Sequence, residues 1–348
     1  MTTTVMGVDG GTTKTIALVA DQSGQILGIA RGTGSNATGD DIDEPMKVVS
    51  DTALEALNGA GIASRSADLG MFTLAGADWQ EDLELRHRIL GKAGLADEII
   101  VKNDTFGGLR AGTRSPYGVV VAAGTGANTA IITPSGQEWA FGYYQNYGGA
   151  LDFSREAIEA VLRAEAGRGS PTVLTDLVLK QLNFQTVEDM LKALIKKRVG
   201  LAHQLALCPR VFEASTNGDE IASEIIVHHG LALAEYAVAA IRRFNMLQET
   251  FDVVLAGSIF KGPGKLLQET ITMAIHRFAP HSQIVRSHFE PAVGALLLAY
   301  DKLGIPVSEA MYERLTTTCP PADFFNTGDG SDQTGINYNN NQFVYVED

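Results

Sequence analysis

Apolar and polar positions fall into short strand-length blocks early in the chain and lengthen into helical periods through its middle. Apolar runs at 5–8 and 16–19 flank Asp9-Gly10-Gly11-Thr12-Thr13-Lys14-Thr15. Strand-grade residues on both sides of a Gly-Gly turn predict a β-hairpin. Residues 21–24 form a turn, and 25–30 predict a third strand returning beside the pair. Val48, Val49, Thr52, Leu54 and Leu57 recur at helical spacing and predict a helix over 44–60. A buried strand over 69–75 ends in Gly76-Ala77-Asp78, followed by a helix over 80–91 and a short strand over 98–101. Strands alternating with helices predict an α/β layer built on a mixed sheet.

A second apolar run, 117–123, leads directly into Gly124-Thr125-Gly126-Ala127-Asn128, and strand character resumes over 129–132. The opening plan of strand, glycine turn and strand is thereby repeated more than a hundred residues later. Residues 153–251 read as mainly helical, with helices over 153–165, 172–182 and 187–198 and a long one from Gly218-Asp219 to about Asn245. His228 and His229 lie in that long helix and read as solvated or partly buried helix residues, not ligands. A strand over 252–256 stops at Gly257-Ser258, a helix follows from Pro263, a strand covers 283–287, and a last long helix runs from Pro291 to about Leu303. From Thr316 the composition predicts a loosely packed tail with one edge strand over 343–346.

The chain of 348 residues has room for two domains, each with its own core. Its 27 Lys and Arg against 41 Asp and Glu give a net charge of −14, which argues against nucleic acid and anionic membranes as partners. Two cysteines, Cys208 and Cys319, build neither a zinc site nor an iron–sulfur cage and suit a cytoplasmic setting. A small-molecule ligand, and at most a homodimer, are the expected partners.

The turns carry the candidate chemistry. Gly10 and Gly11 lack a Cβ, so their amides can approach an anion, and Thr12, Thr13 and Lys14 add donors. Asp9 facing the same anion makes electrostatic sense with a cation between them, and Mg²⁺ is the usual choice. Asn103-Asp104 ends a strand, where open α/β sheets bind ligands; Asp104 there reads as a chemical carboxylate or as a helix N-cap. Gly107-Gly108 and Gly257 read, with the two turns already named, as further glycine turns at strand ends. Gly124-Thr125-Gly126 lacks the third glycine of a dinucleotide fingerprint, and Gly262-Pro263-Gly264-Lys265 lacks P-loop spacing.

Taken together, these motifs resemble the actin/hexokinase superfamily. Asp9-Gly10-Gly11-Thr12-Thr13-Lys14 looks like its first phosphate loop, Gly124-Thr125-Gly126 like its second, and Ala256-Gly257-Ser258 like its adenosine motif. Within it, Asn103-Asp104, Ala123-Gly-Thr-Gly-Ala-Asn128 and Pro291-Ala-Val-Gly-Ala resemble the N-acetylglucosamine kinases of the BadF/BadG/BcrA/BcrD group, over roughly 5–303. The resemblance implies a two-lobed, ribonuclease H-like α/β fold with a nucleotide cleft between lobes 1–113 and 114–303, followed by a helix end and tail at 304–348. It implies ATP-dependent phosphorylation of an amino sugar such as N-acetylglucosamine or glucosamine. Asp104 would be the base and Asp9 would position Mg²⁺ through water. Gly10, Gly11, Thr12, Thr13, Lys14, Gly124, Thr125 and Gly126 would hold the ATP phosphates, with Gly257 and Ser258 at the adenosine. Asn36, Asn103, Asn146 and Asp152 would join Asp104 around the sugar.

These kinases usually carry Gly-Asp-Glu-Gly-Ser before the first helix of the second lobe, where this chain reads Gln145-Asn146-Tyr147-Gly148-Gly149. The expected consequence is an acceptor other than plain N-acetylglucosamine, or a less selective one, with Tyr147 offering a ring face and one hydroxyl. Two other readings belong to the same fold. One is an ATPase activator needing a cysteine-held cluster, and the other is a nucleotide-binding regulatory protein without kinase activity.

Overall fold

A computed structural model describes residues 3–37, 42–62 and 66–325. β1 (Thr4–Gly10), β2 (Lys14–Asp21) and β3 (Ile26–Thr33) form the expected antiparallel meander, with β1 buried along its whole length. α1 (Asp43–Gly59), β4 (Ala67–Leu74), α2 (Gln80–Gly91) and β5 (Ala96–Asn103) follow, and α3 (Asp104–Gly112) leaves the sheet. The strand order is β3-β2-β1-β4-β5, with β4 parallel to both β1 and β5.

The plan then repeats. β6 (Gly118–Ala123), β7 (Ala127–Ile132) and β8 (Glu138–Ala140) form a second antiparallel meander. Six helices separate it from the rest of its sheet: α4 (Ala150–Glu165), α5 (Leu174–Leu182), α6 (Val187–Ile195), α7 (Leu201–Leu205), α8 (Cys208–Thr216) and α9 (Glu220–Arg243). β9 (Asp252–Ala256), α10 (Leu266–His276), β10 (Gln283–Arg286), α11 (Pro291–Leu303), α12 (Glu309–Thr318) and α13 (Ala322–Phe325) complete the described chain. The second sheet runs β10-β9-β6-β7-β8, with β9 parallel to β6 and β10, so each sheet pairs one meander with two parallel strands.

Burial divides the molecule into layers. The outer face of the first sheet packs on α1 through Met46, Val49, Ala53, Ala56 and Leu57, against Met6, Val8 and Val19. The outer face of the second packs on the helices from α4 to α10. Between the sheets lies a shared core, where α3 and α11 meet Val5, Leu18 and Met71 on one side and Val120, Ala130 and Val254 on the other. Arg110 of α3 is buried and holds Asp301 of α11 through two bonds, Nε–Oδ2 at 2.6 Å and Nη2–Oδ1 at 3.2 Å. α9 is long and apolar enough to cross a membrane by length and composition, and it lies inside the outer core of the second sheet.

Several expectations change. Gly107 and Gly108 are not a turn: both lie inside α3, and a side chain at Gly107 would press on Thr73 and the Pro291 carbonyl. Helical structure persists past Thr316 through α12 and α13, and Phe325 is buried in the shared core. The expected strand over 343–346 lies outside the described residues. On α1, Val49, Thr52 and Leu57 are buried as the spacing predicts, whereas Leu54 faces solvent and Met46 and Ala53 join the core face.

Candidate active site

Strand register gathers the site. Gly10, Leu74 and Asn103 are neighbours across β1, β4 and β5. The ends of three parallel strands therefore bring Asp9, Asp78 and Asp104 to one rim, as expected where open sheets bind ligands. On the second sheet Ala122 pairs with Ala256, so Gly124 and Gly257 follow adjacent strand ends.

At the first turn, Gly11 N donates to the Lys14 carbonyl at 2.9 Å and the Gly11 carbonyl accepts from Ser35 N at 2.9 Å, leaving Thr12 and Thr13 at an exposed tip. Asn36 Nδ2 donates to Thr12 Oγ1 at 3.2 Å and joins this tip. Lys14 Nζ donates to the Phe325 carbonyl and lies 3.8 Å from Glu290, which also holds Lys261 at 2.8 Å. Burial, opposed by Glu290 and Asp9, lowers the Lys14 pKa. Glu290 was missed from sequence, although an acid just before Pro291 is a usual mark of a helix start. Asp9 is buried and its carboxylate has no hydrogen-bond donor among the described residues. Burial first, then the charge of Asp104, raises its pKa to about 8 against the opposing pull of Lys14. A buried carboxylate without a donor fits a hard cation approached through water.

The second turn is fastened to α4. Gly124 N donates to the Gly126 carbonyl at 2.8 Å, and Ala150 N donates to the Gly124 carbonyl at 2.8 Å. A Cβ at Gly149 would sit 2.5 Å from the Thr125 carbonyl oxygen, so the start of α4 presses on Thr125 and Gly126. Gly257 has φ +102° and its missing side chain would collide with the Ala123 carbonyl; only glycine satisfies both conditions. The turn Ser258–Lys261 follows and leaves Ser258 exposed.

Asn103 caps α3. Its Oδ1 accepts from Thr105 N at 3.0 Å and from Asn128 Nδ2 at 3.3 Å, while its Nδ2 donates to Asp78 Oδ1 at 2.8 Å. The cap role open to Asp104 thus belongs to its neighbour, and the Asp104 side chain is left for other use. Burial, then Asp78, raises the Asp104 pKa to about 6, partly offset by the first amides of α3. The charge of Asp104 opposes ionisation of Asp9, and a cation at Asp9 would relieve that opposition. Asn128 Oδ1 accepts from Gly142 N at 3.0 Å, linking the second sheet to the same node. Asp78 and Asn128 were not foreseen as site residues; the available signal was a polar residue at the end or edge of an apolar strand.

The remaining acceptor candidates are placed differently from one another. Asn146 is exposed, with no side-chain hydrogen bond among the described residues. Asp152 accepts from Gly148 N and Gly149 N, both at 3.1 Å, and caps α4. Tyr147 donates to Glu156, and its ring stacks on His229 at 4.6 Å and 6°; His229 in turn stacks on Phe153 at 3.7 Å. One face of the Tyr147 ring is thereby covered by His229. His229 is fully buried, and burial, then His228, pushes its pKa down to about 3, so it stays neutral; His228 is exposed. A cavity of about 750 Å³ along α2 and β5, lined by Leu83, His87 and Ile99, includes none of the residues assigned to the site.

The chain is similar to known sugar kinases in sequence. An N-acetyl-D-glucosamine kinase of Dictyostelium discoideum is 27% identical over 312 residues, spanning 84% of this chain and 97% of the relative. An N-acetylmuramic acid/N-acetylglucosamine kinase of Clostridium acetobutylicum is 23% identical, spanning 85% of this chain and 97% of the relative. A solved Chromobacterium violaceum structure, provisionally described as an N-acetylglucosamine kinase, matches with a TM-score of 0.63 at 23% identity, covering 85% of this chain and 98% of that one. That likeness shows the fold, which is of the actin/hexokinase type. With residues 6–299 matched by its family model, the chain belongs to the BadF/BadG/BcrA/BcrD ATPase family.

Proposed function

We propose that the protein is an ATP-dependent carbohydrate kinase that phosphorylates a hydroxyl of an amino sugar of the N-acetylglucosamine or glucosamine class. One observation carries the reading: Asn103 takes the cap of α3, which leaves the Asp104 carboxylate at a strand end on the rim shared with Asp9. The names of the curated relatives support the same chemistry.

Phosphoryl transfer asks a protein mainly for positioning and charge neutralisation. Asp104 would take the proton of the attacking sugar hydroxyl. The amides and hydroxyls of Gly10, Gly11, Thr12, Thr13, Gly124, Thr125 and Gly126 would hold the ATP phosphates, and Gly257 and Ser258 would admit the adenosine. Asp9 would hold Mg²⁺ through water, and the ion would supply the charge neutralisation that this acidic rim lacks. Lys14 would reach a phosphate by exchanging the Phe325 carbonyl for it. Asn36, Asn103 and Asn146, with Asp78 behind Asn103, would orient the sugar. Asp152 would act through the α4 cap, away from sugar contact. The cleft would lie between lobes 1–113 and 114–303, and the reaction would run in the cytoplasm, where ATP is supplied.

The test is a panel of hexoses, amino sugars and N-acetylated sugars incubated with ATP and Mg²⁺, followed by ADP release and phosphosugar formation. Phosphorylation of an amino sugar is expected. Tight ATP binding with no phosphosugar from any acceptor would overturn the proposal in favour of a nucleotide-binding protein without kinase activity.

A further inference from the structure

Beyond Asp78 the rim continues into three aromatic rings that phosphorylation of a single sugar does not require. Trp79 follows Asp78, whose carboxylate holds Asn103 Nδ2 at 2.8 Å. Tyr143 and Tyr144 come from the turn Gly142–Tyr144, whose first amide is held by Asn128 and whose Gly142 lies against Asp78. Rings from both halves of the chain therefore meet beside one polar node. Trp79 and Tyr143 stack with centroids 5.6 Å apart at 22°, and Tyr144 meets Trp79 edge-on at 6.1 Å and 74°.

All three remain open to solvent, at 46%, 49% and 71% exposure. The Trp79 indole N–H and both tyrosine hydroxyls have no hydrogen-bond partner among the described residues. Large aromatic rings are costly to leave in water, and a cluster of them continuous with a polar cleft marks a ligand surface.

The occupant is constrained by position and charge. Because the patch adjoins the node that would hold the acceptor, its occupant is joined to the acceptor. Asp78 and Asp82 stand beside it, and Arg86 is engaged by the carbonyls of Ala37 and Gly76 at 2.8 Å each, so a carboxylate or phosphate substituent would be repelled. A neutral pyranose ring fits: its C–H face lies flat on an aromatic ring and its rim of hydroxyls meets the polar tips of Trp and Tyr. We propose that Trp79, Tyr143 and Tyr144 form a second subsite, which binds the neighbouring neutral sugar ring of a disaccharide acceptor. The inference rests on the sugar-kinase reading for the first ring.

The experiment is calorimetric binding to the full chain of N-acetylglucosamine and of its β-1,4-linked disaccharide, N,N′-diacetylchitobiose. The native protein is expected to bind the disaccharide about tenfold more tightly than the monosaccharide. Trp79→Ala and Tyr144→Ala should each remove most of that preference while leaving monosaccharide affinity unchanged. Trp139→Phe leaves Trp79 as the remaining tryptophan, and its emission should shift with the disaccharide and not with the monosaccharide. Equal or weaker binding of the disaccharide, or a preference that survives both alanine variants, would overturn the subsite. ADP release with the monosaccharide judges the kinase reading separately. Its absence beside an intact disaccharide preference would sink that reading and leave the subsite standing.

Discussion

The Asp104 side chain is relieved of capping by the residue before it. The Asn103 amide accepts from the helix, receives Asn128 and donates to Asp78, so three of its bonds hold the strand end in place. With the Asp104 pKa raised to about 6, the sign of its pH dependence follows directly. A base acts in its ionised form, so kcat/KM should be full well above pH 6 and fall as pH drops through about 6. A pH profile that stays flat down to the ordinary carboxylate range would contradict the burial that sets this value. The strand-end positions of Asp9 and Asp104 and the turns at Gly10-Gly11 and Gly124–Gly126 were legible in the sequence because each belongs to one continuous strand-and-turn motif, whereas Gly107-Gly108 was not a turn. Asp78 and Asn128 were not, because sheet register and the contact between halves bring them to Asn103 from 25 residues away on either side. The setting of Tyr147 was not legible for a related reason: one face of its ring rests on His229, which lies 82 residues away on α9.

Among the elements, α11 is placed by the absence of side chains. A Cβ at Gly7 of β1 would sit 2.5 Å from Leu296 N, and one at Gly294 would strike the Gly107 carbonyl, so β1, α3 and α11 meet backbone to backbone. Gly294→Leu should therefore wedge α11 from α3 and cost at least about 3 kcal/mol, read as a lowered melting temperature. An unchanged melting curve would mean that the helices are not in such contact. The α4–α9 pair makes a second case. Tyr147→Phe removes the hydroxyl that serves Glu156 and should cost about 1–2 kcal/mol of stability with the acceptor KM unchanged. The opposite outcome, a raised KM with unchanged stability, would return Tyr147 to the acceptor. Element identity was readable from periodicity. In α1 the spacing found Val49, Thr52 and Leu57 but not the small Ala53 and Ala56, which complete the contact while the bulkier Leu54 points outward.

At the scale of the molecule, the same five-strand plan occurs twice around a shared core, with the two glycine turns on opposite sheets. The repeat was visible as two glycine turns following apolar runs. The closing of the chain was not, because Thr316 and the residues after it are compositionally loop-like while α13 is held by tertiary contacts to Lys14 and Arg31. Since each half would bind part of one nucleotide, ATP and sugar together should draw the halves closer, and the radius of gyration from X-ray scattering should fall. Identical scattering with and without both ligands would argue against a closing cleft. The central claim is that Asp104 takes the acceptor proton, and the most direct measurement is turnover of Asp104→Asn beside its ATP affinity. Turnover should drop by about 10²–10⁴ with ATP binding nearly unchanged, because the residue acts on the sugar hydroxyl. Near-native turnover in a folded variant would contradict the account and leave Asp104 as the first residue of a helix and nothing more.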